Sequence, residues 1–536
     1  MARPISYRPQ KPLPDMSKVP GVALVQKDFW LPPKGVDYLT PPFEIEKAYS
    51  PALLTLWLDR GKLRSRYGTS DIGTGVADLV TMVNFIDSNG ISWLIRFTTT
   101  KLQRWDGSTW NDVYSGFTGG VNDQFVYTAF NNKLIFSNGI DGMFEYDFNL
   151  GTATVIEGAP SCFGLTTFDG RVIASDVVKV GQRYPARIEW SVKNNELIWG
   201  DSTGYTNAEK LGSGFEDLLS TPGGEIDQQR GVWPVTDTIA LILRSTSVWQ
   251  ATVTGNFDAP FRFDRLYGKL GTDSRFSFDV VPGGIVGLFS DDIYVISQNG
   301  IQAIGSRIKD TILADLADKS TCTGMYDPDT KNYWLVTDNN VYRYSFQDQG
   351  WTSHQYPFGI RRIVHTKSSQ QGIEIDQLVG TIDSQVGSID SLVTDNEILG
   401  NFFVTDGATG YVVQEDSSVV VDSDGAGGTT DSPIQIATPE LNFGSPLNRN
   451  EVIYVEMLYE MAVDQTILIQ YSLDGMATWS TYESLNLVAA TRPAPAVFRK
   501  TQESRLIQLR LSSTTLGRFQ LLALFVYGQE GAPVNL

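Results

Sequence analysis

The stretch FVYTAFNNKLIFSNGIDGMFEYDF, residues 125–148, contains the pattern that decides the fold. Its last part, Phe144-Glu145-Tyr146-Asp147-Phe148, alternates aromatic and acidic side chains. A period of two places the aromatic rings on one face of a strand and the acids on the other. Asn-Gly pairs such as Asn138-Gly139 are typical of tight hairpin turns, which require a positive φ. The stretch therefore predicts a strand, a turn and a strand.

Similar units recur along the chain, often with an aromatic residue close by. They are Phe85–Trp110, Phe125–Phe148, Phe163–Trp199, Val232–Phe263, Ile285–Ile304 and Met325–Trp351, followed by two shorter stretches, Leu378–Ile389 and Phe402–Val413. Their starts lie about 40 residues apart where no insertion intervenes, which is the spacing of propeller blades. The sequence predicts an all-β fold with a β-propeller over residues 51–415. A large β-sandwich without a true repeat is the alternative.

The regions around the predicted propeller differ in composition. Residues 1–50 are rich in proline and predict an extended arm, which is either a floppy tail or a segment packed on another surface. Residues 200–231 are polar and glycine-rich and predict a long insertion loop, and residues 416–433 predict a linker. Alternating strands in residues 434–536 predict a β-sandwich-like domain.

Helical periodicity is rare. The leucines and tryptophan of Leu53–Leu58 fit one or two helical turns, and Ile308–Ala317 fits a short helix. Two such segments are too few for alternating βαβ units, so an α/β sheet is not expected.

Scarce residue types and charge restrict the function classes. The 536 residues include two His and two Cys, which excludes a His-rich metal site, a Cys-only zinc site and a disulfide framework. The net charge of −19 argues against general affinity for nucleic acid or anionic membrane. No apolar run reaches the roughly 18–20 residues that span a bilayer. The first residues, MARPISYRPQKPLPDM, lack an apolar core, so a secretion signal is not expected.

Residues capable of catalysis do not form a recognisable pattern. His354 and His365 lie in predicted strands or at a blade edge, where a structural role is expected. The G-x-S-x-G match at Gly200–Gly204 lacks the helix that follows a nucleophile elbow, so it is interpreted as a loop. Cys162 and Cys322 are expected to be small buried hydrophobic residues. The 61 acids allow many carboxylate pairs, and none is singled out. No P-loop occurs, and we expect no catalytic, cofactor-binding or metal-binding residues.

Two further motifs favour structural roles. The basic run Arg60-Gly61-Lys62-Leu63-Arg64-Ser65-Arg66 can contact phosphates, but in so acidic a chain it is expected to pair with acids of its own fold or of a neighbouring subunit. Tyr471–Trp479 resembles the Asp-box of propellers, S-x-D-x-G-x-T-W, with Gly475 one position early. Trp105–Trp110 is a related turn. Both predict hairpin turns rather than an active site.

Together these features resemble the tail nozzle proteins (stabilisation or tail tubular proteins) of short-tailed bacteriophages. The residues that carry the resemblance are Leu56 with Gly61–Gly68, Phe130–Gly139, Ile293–Ile296 with Asn299–Ile301, Thr438–Gly444 and Tyr471–Trp479. The match extends diffusely over most of the chain, and no single motif is diagnostic.

The resemblance implies a structural virion protein with no catalysis and no cofactor. Six copies would form a tube below the portal and its adaptor, which extends and gates the DNA ejection channel and docks tail fibres or spikes. Genomic DNA would pass without specific binding, and assembly would take place in the host cytoplasm. An acidic lumen would let the phosphate backbone slide without sticking. The competing hypotheses are a propeller-based glycoside hydrolase or depolymerase and a carbohydrate-binding module.

Overall fold

The computed structural model describes residues 26–533, except 43, 89, 220–226, 298–299, 339, 367–399, 417, 444–447, 500 and 505–506. The chain is nearly all β and divides into two compact units. Of the described residues, those within 67–432 form one unit, and those within 26–66 and 433–533 together form the other. The first unit is therefore an insertion, in sequence, within the second.

The N-terminal part of the split unit supplies four short strands. They are β1 (Gln26–Trp30), β2 (Ala52–Leu54), β3 (Leu56–Asp59) and β4 (Lys62–Ser65). Strand β1 pairs along an edge with the last strand of the chain, so this part of the predicted arm packs on its own fold. Residues 1–25 of the arm lie outside the described residues. The helical turns expected at Leu53–Leu58 are instead strands β2 and β3, because both pair with neighbouring strands.

Among the described residues, the inserted unit contains seven sets of four antiparallel strands. It begins with β5 (Gly68–Asp71), which belongs to the seventh set, and with the short β6 (Val76–Ala77). Blade one contains β7 (Leu79–Ile86), β8 (Ser92–Thr98), β9 (Lys101–Trp105) and β10 (Trp110–Ser115). Blade two contains β11 (Val126–Phe130), β12 (Lys133–Ser137), β13 (Phe144–Asp147) and β14 (Thr152–Val155). Blade three contains β15 (Ser161–Phe168), β16 (Arg171–Lys179), β17 (Gln182–Trp190) and β18 (Gly214–Asp217). Blade four contains β19 (Gln229–Pro234), β20 (Ile239–Arg244), β21 (Ser247–Val253) and β22 (Phe261–Gly268).

The remaining blades follow in the same order. Blade five contains β23 (Asp279–Val281), β24 (Gly284–Leu288), β25 (Ile293–Ser297) and β26 (Gly300–Ala303). Helix α1 (Lys309–Ala314), within the predicted segment 308–317, and a 3₁₀ turn (Lys319–Thr321) lead to blade six, with β27 (Thr323–Asp327), β28 (Asn332–Val336), β29 (Val341–Ser345) and β30 (Gly350–His354). Blade seven contains β31 (Ile360–Thr366), β32 (Gly400–Thr405) and β34 (Val412–Asp416), with the short β33 (Thr409–Gly410) between the last two.

The fourth strand of blade seven comes from the beginning of the unit. Strand β5 pairs with β34, and β6 pairs with β33, so the two ends of the unit are joined in one blade. Gly68 is required there, because a Cβ at this position would lie 2.1 Å from the Val421 carbonyl oxygen. This closure and the seven successive blades define a β-propeller.

Packing between neighbouring blades completes the ring. Buried apolar clusters join six of the seven pairs of neighbours. Phe97 of blade one, for example, stacks on Phe125 at 4.5 Å between ring centroids. Blades five and six are joined by hydrogen bonds, including one from the Tyr333 hydroxyl to the Ser277 carbonyl at 2.5 Å. Six of the sequence units coincide with blades one to six, and Phe402–Val413 lies in blade seven. The predicted hairpin Leu378–Ile389 lies outside the described residues.

Two segments predicted to be loop or linker contain ordered strands. Within residues 200–231, β18 pairs with β17 as the outer strand of blade three. Within residues 416–433, β35 (Asp422–Ser423) and β36 (Thr429–Thr430) form a short hairpin. Asp422 is fully buried and accepts a hydrogen bond from Thr69, so the predicted linker packs on the propeller. The polar composition of these two segments therefore reflects buried hydrogen bonds as well as exposure to solvent.

The C-terminal part of the split unit forms two antiparallel sheets. Its strands are β37 (Ile434–Ala437), β38 (Asn448–Met461), β39 (Gln465–Ser472), β40 (Ser480–Leu487), β41 (Ala490–Phe498), β42 (Gln502–Ser504), β43 (Gln508–Ser513) and β44 (Gln520–Pro533). One sheet has the order β3-β4-β44-β38-β41, and the other includes β2-β37-β43-β39-β40. The predicted domain start at residue 434 omits β1–β4, which belong to this unit because they pair with its strands.

Candidate functional site in the central channel of the propeller

The central channel is lined by the innermost strand of every blade. These strands, β7, β11, β15, β19, β23, β27 and β31, surround a cavity of about 720 Å³. The wall includes aromatic residues such as Tyr127 and Trp233 and charged residues such as Arg362. The cavity is therefore large enough for a small ligand. Whether its charged groups are already paired with other protein groups decides which ligands it can bind.

One charged group that reaches the wall, Arg275, is fully matched by a buried carboxylate. Asp176 is completely buried in β16, and its carboxylate accepts two hydrogen bonds from Arg183, at 2.8 and 2.6 Å. Arg275 reaches the same carboxylate at 2.7 Å and also donates to the Phe163 carbonyl at 2.5 Å. Burial lowers the pKa of Arg275, while Asp176 opposes that shift. We call Asp176, Arg183 and Arg275 the closed cluster.

Arg362 is held differently. Its guanidinium stacks over the Phe276 ring at 3.6 Å and donates to the Thr81 hydroxyl at 3.3 Å. Burial lowers the pKa of Arg362 to about 10, and the nearby Tyr127 hydroxyl opposes the shift. Its positive charge therefore remains at neutral pH and gives this part of the channel a basic character.

A second charged group lies where blades six and seven meet. Asp327 ends β27, Asp329 lies in the turn that follows, and His365 belongs to β31. One polar atom from each of these three side chains lies within 4.8 Å of the other two. His365 Nε2 is 3.3 Å from Asp329 Oδ2, and His365 Nδ1 is 3.8 Å from Asp327 Oδ1. We call Asp327, Asp329 and His365 the open cluster.

The sequence alone did not pair these three residues. The Asp327-Pro328-Asp329 spacing is a weak signal for two nearby carboxylates, and His365 lies in another blade. Their proximity depends on the order of the blades around the ring.

The other histidine and the cysteines are buried within blades. His354 is fully buried in β30, with Nε2 3.0 Å from the Thr352 hydroxyl. Cys162 and Cys322 are buried free thiols. Burial raises the pKa of Cys162 to about 12 and raises the pKa of Cys322 further. Neither thiol has the lowered pKa of a reactive cysteine.

The G-x-S-x-G match forms a structural turn. The Ser202 hydroxyl is buried, accepts a hydrogen bond from the Trp199 amide at 2.9 Å and donates to the Glu157 carbonyl at 3.1 Å. A serine held in this way is not available as a nucleophile.

The basic run and the Asp-box turn also contact their own unit. Arg64 pairs with Asp59 at 2.8 Å and covers the Trp57 ring. The Asp474 carboxylate accepts hydrogen bonds from the amide and hydroxyl of Thr478, at 2.9 and 2.5 Å. These bonds lower the pKa of Asp474 to about 2.

No helix within the described residues is long and apolar enough to cross a membrane.

Comparison with protein-family models finds no match, and comparison with curated proteins finds none either. Similar solved structures include BBS1N in a complex with ARL6DN, at 9% identity and a TM-score of 0.37, covering 66% of this chain and 98% of that chain. The AfRom2 CNH domain has 8% identity and a TM-score of 0.37, and the match covers 65% of this chain and 99% of that chain. A gluconolactonase from Xanthomonas campestris has 11% identity and a TM-score of 0.30, and the match covers 67% of this chain and 90% of that chain. These low values carry no conclusion about the function of this chain, and its propeller is defined by its own strand pairing.

Proposed function

We propose that this chain is a structural component of a phage tail, similar to the tail nozzle proteins of short-tailed bacteriophages. Six copies form a tube below the portal and its adaptor, extend and gate the DNA ejection channel, and dock tail fibres or spikes. The protein acts by assembly and not by catalysis, and it resides in the virion after assembly in the host cytoplasm.

The observation that carries the proposal is the domain plan. A closed propeller is inserted within a second β unit built from residues 26–66 and 433–533. The nozzle resemblance implies this combination of a propeller with additional β domains. In the proposal, the two sheets of the split unit pack as the β-sandwich-like domain, and the N-terminal residues form the arm.

The residues that carry the resemblance lie in strands and hairpin turns, where they contribute to the fold. Arg60-Gly61 and Asn131-Asn132 form two-residue hairpin turns in which both residues have positive φ. Ile293–Ile296 lies in β25, and Ser472 ends β39 at the Asp-box turn. None of these positions requires a ligand, which favours assembly over chemistry.

The distribution of charge defines where DNA would pass. The propeller's own channel contains Arg230 and Arg362, which would hold a phosphate backbone rather than release it. The DNA path in the proposal therefore lies between copies, along surfaces that carry the excess acid of a chain at −19. Mutual repulsion would keep the DNA mobile there.

Reconstitution tests this proposal. The chain should be a monomer or a small oligomer alone and should form a sixfold ring when mixed with the portal-bound adaptor, as seen by mass photometry and electron microscopy. A filter-binding assay at low salt should show no retention of duplex DNA by the ring. Failure to form a ring on the adaptor, or tight DNA retention, would contradict the proposal.

A second candidate is glycan binding or hydrolysis in the propeller channel. The cavity of about 720 Å³ is lined by Tyr127, Trp233 and Asp279, which are residue types that bind sugars. Release of reducing ends from host surface polysaccharide, abolished by Asp279→Asn, would favour this candidate. Absence of both turnover and binding would leave the structural function alone.

A further inference from the structure

The hydrogen bonds of His365 define its tautomer. Asn401 Nδ2 donates to Glu415 Oε2 at 3.1 Å, which identifies Asn401 Oδ1 as the acceptor facing His365 Nδ1, also at 3.1 Å. Nδ1 therefore carries the proton, and Nε2 of the neutral ring presents a lone pair. A histidine that binds a metal has this arrangement, with its other nitrogen donating to an oxygen.

The free nitrogen faces a carboxylate. His365 Nε2 is buried and has no hydrogen-bond partner among the described residues, and its side chain is 8% exposed. Asp329 Oδ2 lies 3.3 Å from it. Two acceptors at this separation repel each other unless a positive centre lies between them.

The separation fits a metal ion. Two ligands held about 2.05 Å from a tetrahedral zinc lie about 3.3 Å apart. We propose that His365, Asp329 and Asp327 bind one divalent transition-metal ion, with Zn²⁺ as the best fit to one imidazole and two carboxylates. This site is independent of the proposed assembly function.

The second carboxylate, that of Asp327, is already oriented. Asp327 Oδ1 accepts hydrogen bonds from the amides of Asp329 and Thr330, at 2.9 and 3.1 Å. Asp327 Oδ2 accepts one from the Thr330 hydroxyl at 2.6 Å. These bonds fix the turn that carries Asp329, so Asp327 contributes an oxygen and also positions its neighbour.

The location indicates what the metal would do. Asp327 and Asp329 belong to blade six, whereas His365 belongs to blade seven, the blade that β5 completes. A bound ion would join these two blades directly. Because it binds the folded ring and not the unfolded chain, it would raise the stability of the propeller.

Titration of the full, tag-free chain tests the site. After removal of metals with EDTA and dialysis, calorimetry with Zn²⁺ should show one ion per chain, and the thermal midpoint should rise by several degrees. Co²⁺ should give the visible absorption of a tetrahedral site. His365→Gln and Asp329→Asn should each weaken Zn²⁺ binding at least tenfold.

Asp237→Asn is the matched control, because Asp237 is an exposed aspartate in a turn of blade four, and it should leave binding unchanged. The thermal midpoint of each variant in EDTA shows whether it still folds. Absence of Zn²⁺ binding at millimolar concentration would overturn the proposal. Binding that persists in both His365→Gln and Asp329→Asn would also overturn it.

Discussion

The closed and open clusters both contain carboxylates within one propeller, yet they are completed differently. Asp176 is matched by two arginines, and its carboxylate accepts three hydrogen bonds from them at 2.6–2.8 Å. In the open cluster, Asp329 is 74% exposed, and His365 Nε2 is buried without a hydrogen bond. In the closed cluster, protein groups compensate the buried charge completely. In the open cluster, a buried nitrogen has no such partner among the described residues.

This difference distinguishes a cluster that stabilises the fold from a cluster that can bind a ligand. A buried carboxylate whose partners are all protein groups stabilises the fold, and its oxygens have no free acceptor position for a ligand. A buried nitrogen without a partner costs free energy unless something else binds it. The same substitution, aspartate to asparagine, should therefore destabilise the fold strongly at the closed cluster and weakly at the open cluster when no metal is bound.

The largest effect is expected from Asp176→Asn. The substitution leaves Arg275 and Arg183 without their shared carboxylate, and breaking a buried ion pair costs about 3–5 kcal/mol of unfolding free energy. Asparagine tolerates the positive φ of 53° at this position, so backbone strain adds little. Urea unfolding measures the loss. A loss below about 1 kcal/mol would mean that the closed cluster is not structural.

Thiol reactivity gives a second, local test of the closed cluster. Cys162 lies near Asp176 and Arg275, and burial raises its pKa from 9.0 to about 12. Because only the thiolate reacts, labelling at pH 8 should be about a thousandfold slower than for an exposed cysteine. Asp176→Asn should speed the labelling of Cys162 more than that of Cys322, as measured by mass spectrometry of labelled peptides. Equal acceleration at both cysteines would indicate global unfolding instead.

In the absence of metal, Asp329→Asn should have a small effect. Asp329 is largely exposed, and exposed ion pairs contribute about 0–1 kcal/mol. Urea unfolding in EDTA should therefore show a change within that range, and the full difference from the wild type should emerge when Zn²⁺ is added. A large loss in EDTA would show that Asp329 is a structural partner of His365, and the contrast between the clusters would disappear.

The smallest effect is expected at an exposed turn, where a carboxylate is matched only by local bonds. Hydrogen bonds lower the pKa of Asp474 from 3.8 to about 2. A lowered pKa contributes stability above the unfolded value, and this contribution is lost as the pH falls from about 4 through 2. NMR titration of the Asp474 carboxyl carbon should give a midpoint near 2, and Thr478→Ala should move it upward. A midpoint near 3.8 would contradict the hydrogen bonds.

Strand periodicity and turn residues predict much of this fold. Alternation in Phe144–Phe148 gives β13, and the unit Phe125–Phe148 matches blade two, because both signals depend on local backbone geometry. The order of the blades, the closure by β5 and the outer strand β18 were not predicted. Those features depend on pairing between distant segments, and Gly68–Asp71 has no apolar alternation that would mark it as a strand.

The candidate site was less predictable than the fold. Scarcity of histidine argued against a His-rich metal site, but it gave no information about one histidine combined with two aspartates. Asp327 and His365 lie in different blades, so only the ring brings them together. The closed cluster is equally hidden, because Asp176 and Arg275 come from strand β16 and from the segment before β23.

The proposed function depends most directly on assembly, and one measurement tests it. Electron microscopy of the chain mixed with the portal-bound adaptor of the same virion should show six copies in a ring, with acidic surfaces lining the tube. A chain that stays monomeric under these conditions and cleaves or binds host polysaccharide in its propeller channel would contradict the nozzle proposal.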